Sequence, residues 1–337
     1  MKAQRRAARP AARCARGAAL LLSLIVLTLV ATTAAGMVWQ QSRAIHVEAA
    51  ERARAQAWWM LDALIDGGRY VVRQRSNRDP SLGAPWDFRL EETSLSSLLA
   101  ADRENNTGID LQAYFSGHVI DAQSRYNLRN LFDGGGKEIE AERKALDRLC
   151  ALAGATGFAP AIVAALAAGL APPSQGPVLD STAATMPVIT RVEHLRWLGI
   201  DEATLARLMQ LVDLLPEGPT RLNLNTASAE VIAAVLGVEG GEGQRIERAN
   251  GPQNARFKDL ADASARLGLS GDRQLPEARV DVRSDWFYFH GQVRYEDRVL
   301  ATRALVKSEG QGAGAAVNVR RLERGPARLD GLEARRQ

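Results

Sequence analysis

Residues 16–30 read RGAALLLSLIVLTLV, an arginine and a glycine followed by an apolar run without a charge. Uncharged sequence continues from Gly17 to Ser42, 26 residues, and a membrane-crossing helix needs about 20. A removable secretory signal has a shorter apolar core, roughly 7 to 15 residues, ending in small residues. ATTAAG, residues 31–36, offers such an end, so cleavage there is the competing reading. Basic residues before the span place the N-terminus in the cytoplasm and the body across the membrane.

The formal charge of +4 on 337 residues would ordinarily point to nucleic acid. Lys2, Arg5, Arg6, Arg9, Arg13 and Arg16 account for it, because the first sixteen residues hold no acid. The rest of the chain has 37 basic and 39 acidic residues, a net charge of −2, and lacks the cationic field that phosphate backbones require. Length and 46% apolar content suit about two domains. Cys14 precedes the apolar run, where a lipoprotein cysteine would follow it. Cys150 is left alone in the body if the leader is cut, and its helical apolar surroundings make it a small core residue.

Downstream of the span no proline occurs before Pro80, and the composition favours one helix from about Leu20 to about Gln74. Ile45, Ala49, Arg52 and Gln56 form a weak apolar face; Trp59, Leu61, Ala63, Leu64 and Val71 restore one. Gly67 and Gly68 are expected to loosen its end. GHVIDAQSRYNLRNL, residues 117–131, alternates Ile120, Ala122, Tyr126 and Leu128 with Asp121, Gln123, Arg125 and Asn127, as a half-buried strand does. Phe289, Val293 and Tyr295 alternate with His290, Gln292 and Arg294, and a Glu296-Asp297 turn leads into Val299–Val306, which predicts neighbouring antiparallel strands. Between these strand regions lie short helices. Ile139, Leu146, Leu149, Cys150 and Ala153 fall at helical spacing. In 201–216, Asp201 is the expected N-cap, Leu205, Leu208, Val212 and Leu215 the buried face, and Pro216 the stop. From about Ser308 the chain turns to Gly, Ala, Arg and Glu, and a disordered tail is expected.

Catalytic signals are missing. His46, His118, His194 and His290 lie far apart in sequence without metal spacing. FDGGGKE, 132–138, lacks the Ser or Thr of a phosphate loop and puts Glu138 after Lys137, so it reads as a glycine turn. No Gly-x-Ser-x-Gly elbow is present. Residues 221–269 resemble tandem helix-hairpin-helix modules, with LNTAS (224–228) opening a helix and Gly237-Val238-Glu239-Gly240 at the hairpin. Glu239 and Glu242 oppose a polyanion there; scaffold, with Thr226 capping a helix and Glu230 in its first turn, is the alternative.

Five segments taken together resemble a known family: RGAALLLSLIVLTLVA (16–31), WQQSRAIHVEAAERARAQAWW (39–59), SGHVIDAQSRYNLRNL (116–131), LPEGPTRLNLNTASAEVIAAVL (215–236) and SDWFYFHGQVRYEDRVLATRALV (284–306). Their order is that of type IV pilin-like proteins, and more narrowly of the K-type minor pseudopilins of type II secretion. The resemblance implies an α+β fold, a long N-terminal transmembrane helix packed on a small antiparallel sheet with a large all-helical insert. It divides the chain into a leader (1–17), the helix (18–75, spanning the membrane over about 18–40), a first body segment (76–133), the insert (134–275, with the hairpin segment 221–269), closing strands (276–308) and the tail (309–337).

The same resemblance implies cleavage after Gly17 by a prepilin peptidase and N-methylation of Ala18, the new first residue. Most such subunits carry glutamate at the fifth mature position, where it is held to pair with a neighbour's terminal ammonium; here that position is Leu22, which suits a subunit at the filament tip. Implied partners are minor pseudopilins I and J, the major pseudopilin filament, the peptidase and the inner membrane, with the N-terminus cytoplasmic, the body periplasmic and no enzymatic step. Family members often carry an acidic stretch suited to calcium. The matching region keeps only Asp180, too few ligands for that ion, so no cofactor is expected. A membrane-tethered nucleic-acid binder and a minor pilin of a type IV pilus are the other readings.

Overall fold

The computed structural model describes residues 12–75, 84–100, 113–170, 188–250, 255–269, 274–295, 298–310 and 316–326. The chain forms two compact units, Met1–Trp59 and Met60–Gln337. Helix α1 runs from Ala12 to Arg75, so the first unit is helical throughout its described length and the second begins with the helix's last turns.

In the second unit, β1 (Arg89–Ser94), β2 (Ala113–Asp121), β7 (Trp286–Tyr295), β8 (Arg298–Glu309) and β9 (Ala316–Pro326) form one antiparallel sheet in the order β1-β2-β7-β8-β9. Between β2 and β7 the chain forms α3 (Glu140–Ala153), α4 (Ala159–Leu170), α5 (Glu202–Leu211), α6 (Ala229–Leu236), α7 (Gly240–Ala249) and α8 (Leu260–Leu267). Two short parallel pairs, β3 (Tyr126–Asn127) with β4 (Val212–Asp213) and β5 (Leu222–Asn223) with β6 (Val280–Asp281), stitch this helical insert together. A short helix α2 (Leu95–Ala100) follows β1.

Alternation along β7 gives the sheet two covered faces. Phe287 and Phe289, with Val119, Ala304 and Val306, pack with Leu64, Ile65 and Val72 of α1. Trp286, Tyr288 and Leu305 pack on the opposite side with Ala122 and Leu215 of the insert. Close approach of helix and sheet requires glycines. A Cβ on Gly68 would lie 2.4 Å from the Phe289 ring, and one on Gly291 2.9 Å from Leu64. Gly68 therefore does not loosen the helix as its sequence suggested. It is the contact point, on a stripe of Leu61, Ile65, Gly68 and Val72 that is buried. Trp59 and Ala63, expected on that stripe, are exposed, Trp59 by 75%.

Three more expectations are corrected. The predicted strand of residues 117–131 stops at Asp121 and passes through a 3-10 turn, 122–124. Asp121, Gln123 and Asn127, assigned to the solvent side, are buried along with Ala122, Tyr126 and Leu128, because the chain here runs between sheet and insert. Pro216 does not end α5. The helix stops at Leu211 because Val212 and Asp213 pair with Tyr126 and Asn127. The expected tail contains β9, paired with β8 from Ala316 against Glu309 to Pro326 against Leu300, with a one-residue register shift between Leu305 and Val306. Its apolar pattern is faint because other bonds hold it: Arg69 donates to the Val317 carbonyl at 2.9 Å, Arg324 pairs with Asp62, and Arg320 pairs with Glu309 at 2.6 Å. The Glu296-Asp297 turn and residues 327–337 lie outside the described residues.

Candidate assembly segment

In α1 the side chains Leu20, Leu21, Leu22, Leu24, Ile25, Val26, Leu27, Leu29 and Val30 all face outward, Leu22 by 65%. Within the described residues this is the one helix long and apolar enough to cross a membrane. Ala18 to Val38 is 21 residues, about 31 Å of helix, which matches a bilayer's hydrocarbon core. The hydroxyls inside this stretch fold back on the helix: Ser23 donates to the Leu20 carbonyl at 2.8 Å, Thr28 to Ile25 at 2.9 Å, Thr32 to Leu29 at 2.9 Å and Thr33 to Val30 at 2.9 Å. No hydroxyl there is left to meet lipid unpaired. Trp39 and Arg43 follow one turn apart, the guanidinium 5.7 Å from the indole centroid, an aromatic and cationic pair of the kind found where a span meets water.

Gly17, Ala18 and Leu22 all lie in the helical run of α1. Glycine is a poor helix former, and the Gly17–Ala18 peptide sits between the basic N-terminal residues and the outward-facing apolar stretch. The structure places no carboxylate at Leu22 or anywhere from Gly17 to Ser42.

The insert carries its own polar joint to the sheet, which the sequence patterns did not reveal. Asp121, the last residue of β2, accepts at Oδ2 from Asn223 Nδ2 (2.7 Å), Ser284 Oγ (2.7 Å) and Thr226 Oγ1 (2.5 Å), and at Oδ1 from the Gln123 amide (2.8 Å). Burial raises its carboxyl above the usual value, and the hydrogen bonds from Thr226 and the others only partly offset this. Gln123 accepts from the amides of Asp285 and Trp286 at 2.6 and 3.2 Å, and Asn225 spans Phe257 and Val282. Thr226 thus serves Asp121 instead of capping α6. The cap is Ser228, whose hydroxyl accepts from the Val231 amide, with Glu230 in the first turn. Asp201 caps α5 by accepting from the Thr204 amide at 3.0 Å, as expected.

The remaining motifs find ordinary places. Gly237, at φ 73°, ends α6 and Glu239 precedes α7, so a helical hairpin forms. The Gly237 and Val238 amides are bonded to the Ala233 carbonyl, and Glu239 and Glu242 are exposed beside it, an unfavourable seat for phosphate. In 132–138 Asp133 fills the turn itself, accepting from the amides of Gly135 and Lys137 at 2.9 and 2.8 Å. Cys150 is buried in the insert core. His118 and His290, 172 positions apart in sequence, are cross-strand partners with stacked rings, centroids 5.0 Å apart. His194 stacks instead on Trp197, and the described residues contain no cluster of three or more metal-ligating side chains. Asp180 lies outside the described residues.

No family model matches the chain. It is 26% identical over 340 aligned positions to the type II secretion system protein K of Pseudomonas aeruginosa strain PAO1, covering 93% of this chain and 94% of that protein. Its fold matches a chain in the crystal structure of the GspK-GspI-GspJ complex from the type 2 secretion system of enterotoxigenic Escherichia coli, with a TM-score of 0.59 and 16% identity over 82% of this chain and 99% of that one.

Proposed function

We infer that this chain, similar along nearly its whole length to the K-type minor pseudopilins of type II secretion, is itself a minor pseudopilin that caps the tip of a pseudopilus. The observation that carries the tip position is Leu22. A subunit buried in the shaft gains from a carboxylate that neutralises the terminal ammonium of a neighbour in apolar surroundings, where an unpaired charge is expensive. A subunit with leucine there offers no such carboxylate. The insert between β2 and β7 adds bulk that an end tolerates better than a shaft.

In this reading a prepilin peptidase cleaves after Gly17, Ala18 is methylated, and the apolar helix anchors the chain in the inner membrane with its body in the periplasm. Minor pseudopilins of the I and J types are its tip partners, as the composition of the matched complex supports. The chain contributes structure and no catalytic step.

Two measurements test this. Mass spectrometry of the membrane-extracted chain should give an N-terminus at methylated Ala18; an intact Met1, or a cut near Ala35, contradicts the processing. Co-expression with I-like and J-like pseudopilins of the same organism should yield a stable ternary complex, and its absence contradicts the tip assignment.

A further inference from the structure

The five strands line up one residue each across the sheet face opposite α1. Arg89 of β1 pairs with His118 of β2, His118 with His290 of β7, His290 with Arg303 of β8, and Arg303 with Glu323 of β9. Paired residues share a face, and the side-chain contacts agree: the two imidazoles stack within 3° of parallel, Tyr288 packs 6.4 Å from His290, and the Arg303 guanidinium lies 4.0 Å over the Tyr288 ring. The insert covers one end of this row, where Glu193 approaches Arg303 at 3.6 Å and Arg191 binds Glu323 at 2.9 Å. Towards the other end Ser116, His118, His290 and Gln292 are partly open to solvent and Arg89 is exposed.

We propose that the open part of this row, Arg89, His118 and His290, docks an extended acidic segment of a neighbouring protein subunit. At the open end the Glu92 carboxylate is engaged by Arg294 at 2.6 Å. The carboxylates at the covered end are engaged by Arg191 and Arg303, and Arg89 has no ion pair among the described residues. Flanking arginines disfavour a metal cation on the imidazole pair and favour an anion. Strands lie about 4.8 Å apart, so Arg89 to His290 spans about 10 Å. Alternate side chains on one face of an extended segment repeat every 6.6 to 6.8 Å or so, which lets two carboxylates meet the row with hydrogen bonds, charge-assisted at Arg89. That the occupant is a subunit of the same assembly rests on the pseudopilin reading above; that it is acidic does not.

The test uses the full chain in secreting cells, with Gln292 replaced by the photocrosslinker p-benzoylphenylalanine and adducts identified by mass spectrometry. The expected adduct is a protein peptide in which Asp and Glu outnumber Lys and Arg. Its yield should fall at least tenfold with Arg89→Glu, stay unchanged with Arg89→Lys, and return when an acidic residue of the captured peptide is changed to Lys in the Arg89→Glu background. An acidic peptide from a protein outside the secretion apparatus overturns the neighbouring subunit as occupant and leaves the pseudopilin reading, which rests on whole-chain similarity, standing. No protein adduct, adducts only to lipid, a peptide without acidic excess, or yield insensitive to Arg89→Glu overturns the docking row.

Discussion

Thr226 donates its hydroxyl to Asp121 at 2.5 Å across 105 positions of chain, tying the approach to α6 to the last residue of β2. The residue that the sequence offers as a helix cap is spent on a long-range joint. Sheet and insert are therefore bound by a polar node as well as by the apolar contact of Leu215 with Trp286 and Tyr288.

Asp121→Ala should lower unfolding stability by at least about 3 kcal/mol, because it strands several buried donors at once. Thr226→Val should cost about 1 kcal/mol, since it removes one donor and leaves the others in place. Urea denaturation followed by circular dichroism measures both. Equal and small losses would show the node to be dispensable.

The same carboxyl predicts a pH signature. Its folded-state pKa is raised above 3.8 by burial, so the protonated form favours the fold. That contribution is fully present below the unfolded value and is lost as pH rises through the folded one. Relative to wild type, Asp121→Asn should gain stability as pH rises from about 4 to about 8. A constant difference between the two proteins across that range would contradict the shift.

Helices α6 and α7 touch at Gly243, where a Cβ would stand 2.3 Å from the Ala229 carbonyl oxygen, whereas Gly241 has open space. Backbone cannot move aside as a side chain can. Gly243→Ala should destabilise by about 1 to 3 kcal/mol, and Gly241→Ala should be neutral or stabilise by up to about 1 kcal/mol. Thermal melts of the two variants check the contrast.

Burial, with Asp147 nearby, pushes the Cys150 thiol up to about 11. In a Cys14→Ser background the native chain should therefore resist maleimide near neutral pH and label at once in denaturant. Rapid native labelling would place the thiol nearer solvent than its surroundings imply.

Leu22→Glu introduces a carboxylate that a tip subunit cannot pair. On the function proposed above, such a charge within the bilayer costs about 3 kcal/mol or more, and secretion of a reporter should fall while the N-terminus stays that of the unsubstituted chain. Undiminished secretion would argue that a neighbour can supply a partner and that this chain does not begin the filament.

Much of this architecture was legible because it repeats. The uncharged run, the alternation of Phe289, Val293 and Tyr295, and the Asp201 cap each depend on neighbours in sequence. What escaped depends on neighbours in space. Asp121 looked solvent-facing since its partners Asn223, Thr226 and Ser284 are supplied from elsewhere in the chain. Gly68 looked like a helix breaker because nothing near it announces the Phe289 ring. β9 looked unstructured because an edge strand with exposed arginines carries few apolar residues and is held by pairing to β8. His118 and His290 looked unrelated until register set them side by side.

The hydroxyls of Ser23, Thr28, Thr32 and Thr33 close on carbonyls of their own helix. A segment whose polar atoms are all answered internally asks nothing of its surroundings. It can exchange lipid tails for the side chains of other helices without breaking and remaking hydrogen bonds, so the change of medium is an exchange of one apolar contact for another. Moving such a segment between one apolar medium and another is then a matter of apolar contact alone, with its hydrogen bonds carried along intact.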